Sequence, residues 1–303
     1  MKEMADIYSL GELAVVLGLG YPGSNRSHFK SIALWETGGD GTSGVGQSGW
    51  LTDDINGLEG SELLDSHGIS LDGGMGVFAS SDGTWISMTS IKKFQKLKHH
   101  KMEKVETHNP ALSLLLDRSN QLNSAMESIS KKLGSFNDSA RVRGGELGDQ
   151  LELALNCISA GINSPVIKVS HGSFDTHDNQ SWRHNDLLED LSMAIFDTRK
   201  QLVKMDEWHN TLIMTYSEFG RTAYENASEG TDHGTAAPHF LIGGGVKGGF
   251  YGKQPSLNNL KDGDMIFTTD YRSFYETILS SWFSIHNNKF SEFNVPGLQK
   301  IIS

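Results

Sequence analysis

The sequence predicts an α/β fold in which a mostly parallel sheet lies between layers of helices. Short apolar runs rich in β-branched residues alternate along the chain with longer segments whose apolar residues recur every three or four positions. Such alternation is typical of a mostly parallel sheet covered on both faces. A length of 303 residues is enough to build it. We therefore expect one α/β domain over residues 1–303.

Composition excludes several classes of partner. The formal net charge is −11 and the pI is near 5.5, so the surface repels nucleic acid and anionic membranes. No apolar run approaches the roughly 20 residues that a transmembrane helix needs. The single cysteine, Cys157, lies in an apolar helical segment and cannot form an internal disulfide. The oligomeric state is not readable from these features.

The first element is a buried strand, LAVVLGLG, followed by YPGSNRS and a helix. Its glycines match the dinucleotide-binding pattern GxGxxG, but that site needs the third glycine inside the first turn of the helix. Pro22 favours extended backbone at Tyr21, so the helix is expected to begin only near Ser27. An oxidoreductase function is therefore disfavoured. The free amides at this helix start favour an anion.

The middle of the chain predicts two loops, a hairpin and a long helix. Residues 38–49 and 134–145 are glycine-containing loops, and residues 75–90 contain two strand-like halves around Asp82, which indicates a hairpin at the edge of the main sheet. The lysine-rich residues 91–104 are interpreted as a solvated surface. Apolar residues at helical spacing predict a helix over 109–134.

The C-terminal half continues the alternation of helices and strands. Helices are expected in GELGDQLELALNCISAG, HNDLLEDLSMAIFDTRKQLVKM and TDYRSFYETILSSWFS, and strands in PVIKVSHGS, TLIMTYSEF and HFLIGGGV.

Acidic and imidazole side chains gather where the apolar runs end. In open α/β sheets ligands bind beyond the carboxyl ends of the strands, so these side chains are expected to converge on one cleft. Carboxylate and imidazole together suit a zinc-like divalent ion. The residues are Asp175, His177 and Asp178, flanked by His171 and His184, then Glu218 and Arg221, and finally Asp232 and His233.

Four sequence blocks carry a family resemblance. GYPGSNRSHFKS, FDTHDNQ, YSEFGRTAYENASEGTDHGTAAPHFLIGGGVKGGFYG and TTDYRSFYETIL are similar to the bacterial family named domain of unknown function 1501. That family is placed in the alkaline-phosphatase-like, or sulfatase, superfamily. The resemblance runs from about Leu13 to the C-terminal helix, and it implies an alkaline-phosphatase-like fold and a metal-dependent hydrolase of small anionic phosphate or sulfate esters.

The resemblance also implies catalytic residues. Ser27 is similar to the nucleophile that this superfamily places at a helix start, and Ser24 is the alternative by spacing. Arg26 would pair with the anionic substrate, and His28 and Arg221 complete the catalytic group.

The implied metal ligands come from three segments. Asp175 and His177 resemble the first metal pair, and Glu218 lies where relatives carry an Asp-His pair. Asp232 and His233 precede the next strand, as the last histidine ligand does in relatives. His184 is either a ligand or a neighbour of the ligands. The implied cofactor is a divalent metal, with zinc preferred over calcium, magnesium and manganese.

The chain departs from the family pattern at its beginning. Members normally have an exported leader and a first strand ending in a Gly-Gly-Asn-Asp-Gly-like motif whose aspartate would bind metal, and this sequence starts after that point. Family members are therefore expected in the periplasm, whereas this sequence, with no visible export signal, is expected in the cytoplasm if Met1 is the true start. A second hypothesis follows, namely a non-catalytic relative that acts as a binding or assembly protein.

Overall fold

The computed structural model describes residues 1–80, 82–97, 108–134 and 141–302. In those residues the α-helices are α1 (Lys2–Ser9), α2 (His28–Thr37), α3 (Thr52–Asn56), α4 (Ile91–Gln95), α5 (Pro110–Gly134), α6 (Gly145–Ser159), α7 (Gln180–Lys204) and α8 (Tyr271–Thr277). The strands there are β1 (Leu13–Gly20), β2 (Gly68–Ser70), β3 (Trp85–Ser87), β4 (Ile167–Lys168), β5 (Leu212–Met214), β6 (Ala237–Gly243), β7 (Gly249–Gly252), β8 (Leu260–Lys261), β9 (Asp264–Met265) and β10 (Thr269–Asp270).

The chain divides into two compact units. The first consists of Met1–Trp50 and Gly172–Ser303, and the second of Leu51–His171. The single domain that we expect over residues 1–303 stays a prediction. In the described residues no helix is long and apolar enough to cross a membrane.

The sheet of the first unit is mixed. Its strand order is β10-β1-β6-β5, and β7 also pairs with β1. Strand β1 runs parallel to β10 and β7 but antiparallel to β6, and β5 and β6 are antiparallel as well. The prediction of a mostly parallel sheet is therefore wrong, although the α/β class is confirmed. An apolar run indicates that a strand is buried but not which way it runs. An antiparallel strand that is buried on both faces has the same composition as a parallel one.

The segment from β1 into α2 has the predicted geometry. Strand β1 ends at Gly20, and α2 begins at His28 with Ser27 as its extended N-cap residue. Residues 21–27 lie between them, so Gly23, at φ 64°, is outside the helix. The third glycine of GxGxxG thus lies away from the helix start that a dinucleotide site needs.

Aromatic side chains join α2 and α8 in the core of this unit. The rings of Trp35 and Tyr271 stack with centroids 4.1 Å apart, and those of Trp50 and Tyr275 with centroids 3.9 Å apart. The Tyr275 hydroxyl donates to the carbonyl oxygen of Trp35 at 2.8 Å, so its polar atom is satisfied. The predicted C-terminal helix is confirmed as α8, which continues as a π-helix over Ile278–Trp282.

A buried arginine crosslinks the loop after α2 to α8. The Arg272 guanidinium donates to Asp40 Oδ2 at 2.6 Å and to Asp270 Oδ2 at 2.7 Å, and it lies 4.1 Å from the centroid of the Phe293 ring. The Arg272 and Asp40 side chains are only 11% and 7% exposed. This contact orders the beginning of the loop at 38–49.

Replacing Arg272 by methionine will destabilise the first unit. The change leaves two carboxylates without their cation, and removing one partner of a buried ion pair costs about 3–5 kcal/mol. Chemical denaturation of wild type and variant measures the difference in the free energy of unfolding. The matched control is Arg118→Met, which breaks an exposed pair with Asp82 and should cost about 0–1 kcal/mol. Equal effects of the two changes would contradict the buried crosslink.

Acid will reduce the contribution of Asp40 to the free energy of unfolding. Burial opposes its ionisation, but hydrogen bonds from Thr42 and Ser43 outweigh burial and lower its pKa. A group with a lowered folded-state pKa stabilises the fold above its unfolded pKa, near 3.9, and loses that contribution as the pH falls. The difference in unfolding free energy between wild type and Asp40→Asn should therefore be full at pH 7 and shrink below about pH 4. A constant difference would refute this assignment.

The second unit has its own sheet and core. Its strand order is β3-β2-β4, with both pairings parallel. The predicted helices are confirmed as α5 and α6. The predicted strand PVIKVSHGS is reduced to β4. The loop at 134–145 and the lysine-rich segment 91–104 lie partly outside the described residues. Residues buried together in this core include Ile69, Ile86, Phe94, Ile129, Leu133 and Cys157.

The hairpin expected over residues 75–90 is wrong. Its first half forms a 3-10 turn over Gly76–Phe78, and its second half is β3, which pairs with β2 in the second unit's sheet. The Phe78 ring stacks on Trp85 with centroids 5.0 Å apart. Burial of these two rings against each other explains the apolar pattern without strand pairing between the halves.

Candidate functional site

Three segments of the first unit bring acidic and imidazole side chains together. The first segment is the start of α2, the second precedes α7, and the third is the long loop between β5 and β6. We call the resulting group the Asp175 cluster. Its members are Asp175, His28, His177, His233, Glu218, Asp232 and Arg221.

Asp175 is the centre of this cluster. Its Oδ1 lies 2.9 Å from His177 Nε2 and 2.9 Å from His233 Nε2, and it accepts a hydrogen bond from Arg221 Nη1 at 2.8 Å. Its Oδ2 lies 3.2 Å from His28 Nε2. One carboxylate therefore faces three imidazole rings.

Each of the three rings has an oxygen acceptor at its other nitrogen. Carboxylate and carbonyl oxygens only accept, so a neutral ring that donates from Nδ1 presents its Nε2 lone pair to Asp175, whereas a doubly protonated ring donates from both nitrogens. The three contacts are His28 Nδ1 to Glu218 Oε1 at 2.7 Å, His177 Nδ1 to Asp232 Oδ1 at 3.1 Å, and His233 Nδ1 to the carbonyl oxygen of Arg26 at 2.7 Å.

Neutral rings that donate from Nδ1 direct their lone pairs toward one point. The Nε2 atoms of His177 and His233 are 2.9 Å apart, and both face Asp175 Oδ1. Close approach of lone pairs is unfavourable unless a proton or a metal ion lies among them. One ligand atom from each of His28, Asp175 and His233 also lies within 4.8 Å of the other two, a spacing that suits one cation.

The set of donors fits a metal ion. Imidazole nitrogen and carboxylate oxygen are the ligands of zinc-like ions. Histidines that bind a metal almost always donate their other N–H to a carboxylate or a carbonyl oxygen, which is the pattern at His28, His177 and His233. The residues present therefore fit a divalent cation at Asp175.

Asp175 and Asp232 are ionised at neutral pH. Burial opposes ionisation of Asp175, but hydrogen bonds from Arg221 and His233 and the nearby His177 outweigh it and hold its pKa below the usual range. The pKa of Asp232 is also lowered, first by a hydrogen bond from Asn226 and then by His177. Both groups are in the form that holds a cation.

The structure places the other predicted residues around this centre. Within the described residues no hydrogen bond joins the exposed Ser27 hydroxyl to the cluster, although Ser27 lies between two contributing residues in the chain. The Arg26 guanidinium pairs with the buried Asp264, and its carbonyl oxygen holds His233. His184 packs on Phe174, with ring centroids 5.6 Å apart, and it makes no described contact with Asp175.

Two contributors were missed by sequence reasoning. Asn226 Nδ2 donates to the carbonyl oxygen of His177 at 2.9 Å and lies 3.3 Å from Asp232 Oδ1, so it links two segments. The Phe219 ring stacks on His233 with centroids 4.3 Å apart. Both lie in the block YSEFGRTAYENASEGTDHG, whose position between two strands was the available signal.

Glycines allow the loops of the site to approach each other. A Cβ on Gly230 would lie 2.2 Å from the carbonyl carbon of His177, and one on Gly220 would lie 2.0 Å from the carbonyl oxygen of Ala236. Both contacts are with backbone, which cannot rotate away. Both positions therefore require glycine, because the backbone of another segment lies where a Cβ would be.

Replacing Gly230 by alanine will push the His177 segment away from the loop. Overpacking of this kind costs about 1–3 kcal/mol, and displacement of His177 should weaken zinc binding in the same variant. Chemical denaturation and calorimetric metal titration measure the two effects. Gly297→Ala is the control, because nothing lies within 4 Å of its added Cβ. A Gly230→Ala variant as stable as this control would refute the close packing.

Comparison with known families gives one match. The sequence profile of the family described as "Protein of unknown function (DUF1501)" matches residues 15–293. The comparisons with curated proteins and with solved structures give no match.

Proposed function

Since the chain belongs to the DUF1501 family, whose function is unknown, we propose its activity from the Asp175 cluster: a metal-dependent hydrolase of phosphate or sulfate esters. The family resemblance is confirmed by the profile match, and an alkaline-phosphatase-like fold is part of this proposal. The observation that carries it is the convergence of imidazole Nε2 atoms on one ionised carboxylate, with an oxygen acceptor behind each ring.

The metal would be held by Asp175, His177 and His233. When bound, it supplies a positive charge that lowers the pKa of a coordinated hydroxyl and stabilises the charge on a leaving oxygen. Asp232, which sequence reasoning assigned as a ligand, contacts His177 Nδ1 and orients that ring. Arg221 donates to Asp175 and keeps it ionised.

Ser27 is the proposed nucleophile. It is the N-cap residue of α2 and its exposed side chain makes no capping hydrogen bond, and the amides at a helix start favour the anionic group of a substrate. The serine oxygen bonds to phosphorus or sulfur while the bond to the alcohol oxygen breaks, and the alcohol leaves with the serine proton. Water then releases phosphate or sulfate and restores the serine hydroxyl.

A non-catalytic binding or assembly protein is the second candidate. The observation that favours it is that both arginines of the predicted catalytic group are paired with carboxylates, Arg26 with Asp264 and Arg221 with Asp175. In a catalyst at least one of them has to exchange its carboxylate for the substrate. The Arg26 side chain is 49% exposed, which allows such an exchange.

The test is hydrolysis by purified protein stripped of metal with a chelator. p-Nitrophenyl phosphate and p-nitrophenyl sulfate are supplied with zinc, manganese, magnesium or calcium in turn. The expected result is hydrolysis of at least one ester that appears only when metal is restored. Metal binding without hydrolysis of either ester supports the binding protein, and protein that retains none of the four metals overturns the metal centre.

A further inference from the structure

We propose that His28 is a further ligand of the same cation and that Glu218 is its positioning residue. The inference rests on the metal-dependent function proposed above and extends it to the start of α2. The sequence prediction gave these two residues different roles, with His28 in the catalytic group and Glu218 among the metal ligands.

The position of His28 supports this role. Its Nε2 lies 3.2 Å from Asp175 Oδ2, on the opposite oxygen from the one that His177 and His233 face. The ring contacts two others, with centroids 4.4 Å from His233 and 4.9 Å from Phe219. Because His28 is the first residue of α2, its backbone is anchored by the helix.

Glu218 is arranged to orient the ring of His28. Its Oε1 lies 2.7 Å from His28 Nδ1, which is shorter than the 3.1 Å between Asp232 Oδ1 and His177 Nδ1. Its Oε2 accepts a hydrogen bond from the Ser217 hydroxyl at 3.0 Å, so both oxygens are engaged. A carboxylate behind an imidazole fixes the tautomer and makes the opposite nitrogen a stronger donor to a metal.

A third imidazole defines the class of metal. With His28 included, the site offers three ring nitrogens and one carboxylate, and such nitrogen-rich sites suit zinc and neighbouring transition ions. Calcium and magnesium prefer sites made of oxygen. The site should therefore discriminate against both.

Ligation by His28 also has a consequence for the nucleophile. Ser27 is its neighbour in the chain, so a cation bound by His28 fixes the backbone beside the Ser27 hydroxyl. The carbonyl oxygen of Arg26 holds His233 from the same segment. Residues 26–28 thus connect the cation to the start of α2 at two points.

The experiment compares metal binding by matched variants of the full chain. Calorimetric titration with zinc gives affinity and stoichiometry, and visible absorption of the cobalt-loaded protein reports the ligands. His28→Ala should weaken zinc binding by more than about 100-fold and change the cobalt spectrum. Glu218→Ala should weaken zinc binding about 10- to 100-fold, and Glu218→Gln, which retains an acceptor oxygen, should recover much of that loss. Circular dichroism without metal confirms folding.

Two exposed residues of the same types supply the controls. His209→Ala and Glu225→Ala change residues of the same types outside the Asp175 cluster, and both should bind zinc like wild type. If wild type binds zinc and His28→Ala binds it equally with an unchanged cobalt spectrum, the role of His28 is wrong while the proposed function stands. Equal binding by Glu218→Ala removes its positioning role. Wild type that binds neither zinc nor cobalt overturns the proposed function and this inference together.

Discussion

Replacing Asp175 by asparagine will abolish metal-dependent ester hydrolysis and weaken zinc binding by at least about 100-fold. Among the residues that the structure describes, Asp175 is the carboxylate that faces His28, His177 and His233 together, and it also accepts a hydrogen bond from Arg221. The substitution removes its negative charge and puts an amide N–H toward one side of the cluster. Loss of a metal ligand should weaken metal binding by more than the 10- to 100-fold that is typical when a residue hydrogen-bonded to a ligand is replaced.

The measurement combines metal titration with rates of hydrolysis. A metal ion contributes several kcal/mol to the stabilisation of a transition state, so we expect the rate to fall about 1,000-fold or more. Asp178→Asn is the control, because the exposed Asp178 pairs with Arg183 at 2.9 Å and not with the Asp175 cluster. If Asp175→Asn kept the zinc affinity of wild type, the whole metal assignment would fail.

Replacing Ser27 by alanine will remove hydrolysis while leaving zinc affinity within a few-fold of wild type. The Ser27 hydroxyl is the proposed attacking group, and no described hydrogen bond joins it to the Asp175 cluster. Removing a nucleophile typically costs at least about 1,000-fold in rate. Steady-state hydrolysis and zinc calorimetry on the same preparation separate the two effects, and mass spectrometry of quenched wild type should find the anion on the peptide that contains Ser27.

Ser24→Ala distinguishes the two candidate serines. Ser24 is exposed and lies four residues before His28, the first residue of α2. With Ser27 as the nucleophile, Ser24→Ala should hydrolyse esters at close to the wild-type rate. Loss of hydrolysis in Ser24→Ala but not in Ser27→Ala would transfer the role to Ser24.

Local elements of this fold were predictable because their signals are local. Strand β1 is a continuous apolar run, and Pro22 delays α2 to His28 as expected. Helix α5 follows from apolar residues at helical spacing and ends at Gly134. The pairing of strands is not local. The predictions of a mostly parallel sheet and of a hairpin were both wrong for the same reason. Burial of Phe78, Trp85 and strand β6 gives the same apolar pattern as parallel or hairpin pairing would.

The sequence by itself determined the α/β class, the family, the absence of dinucleotide-site geometry after β1, and the segments that supply acidic and imidazole groups. The tertiary structure alone decided which nitrogen of each histidine faces inward. That choice depends on an acceptor from a distant part of the chain, such as Glu218 for His28 and the Arg26 carbonyl oxygen for His233. A ring's tautomer is set by the hydrogen bond at its other nitrogen, and that partner is known only after the chain has folded.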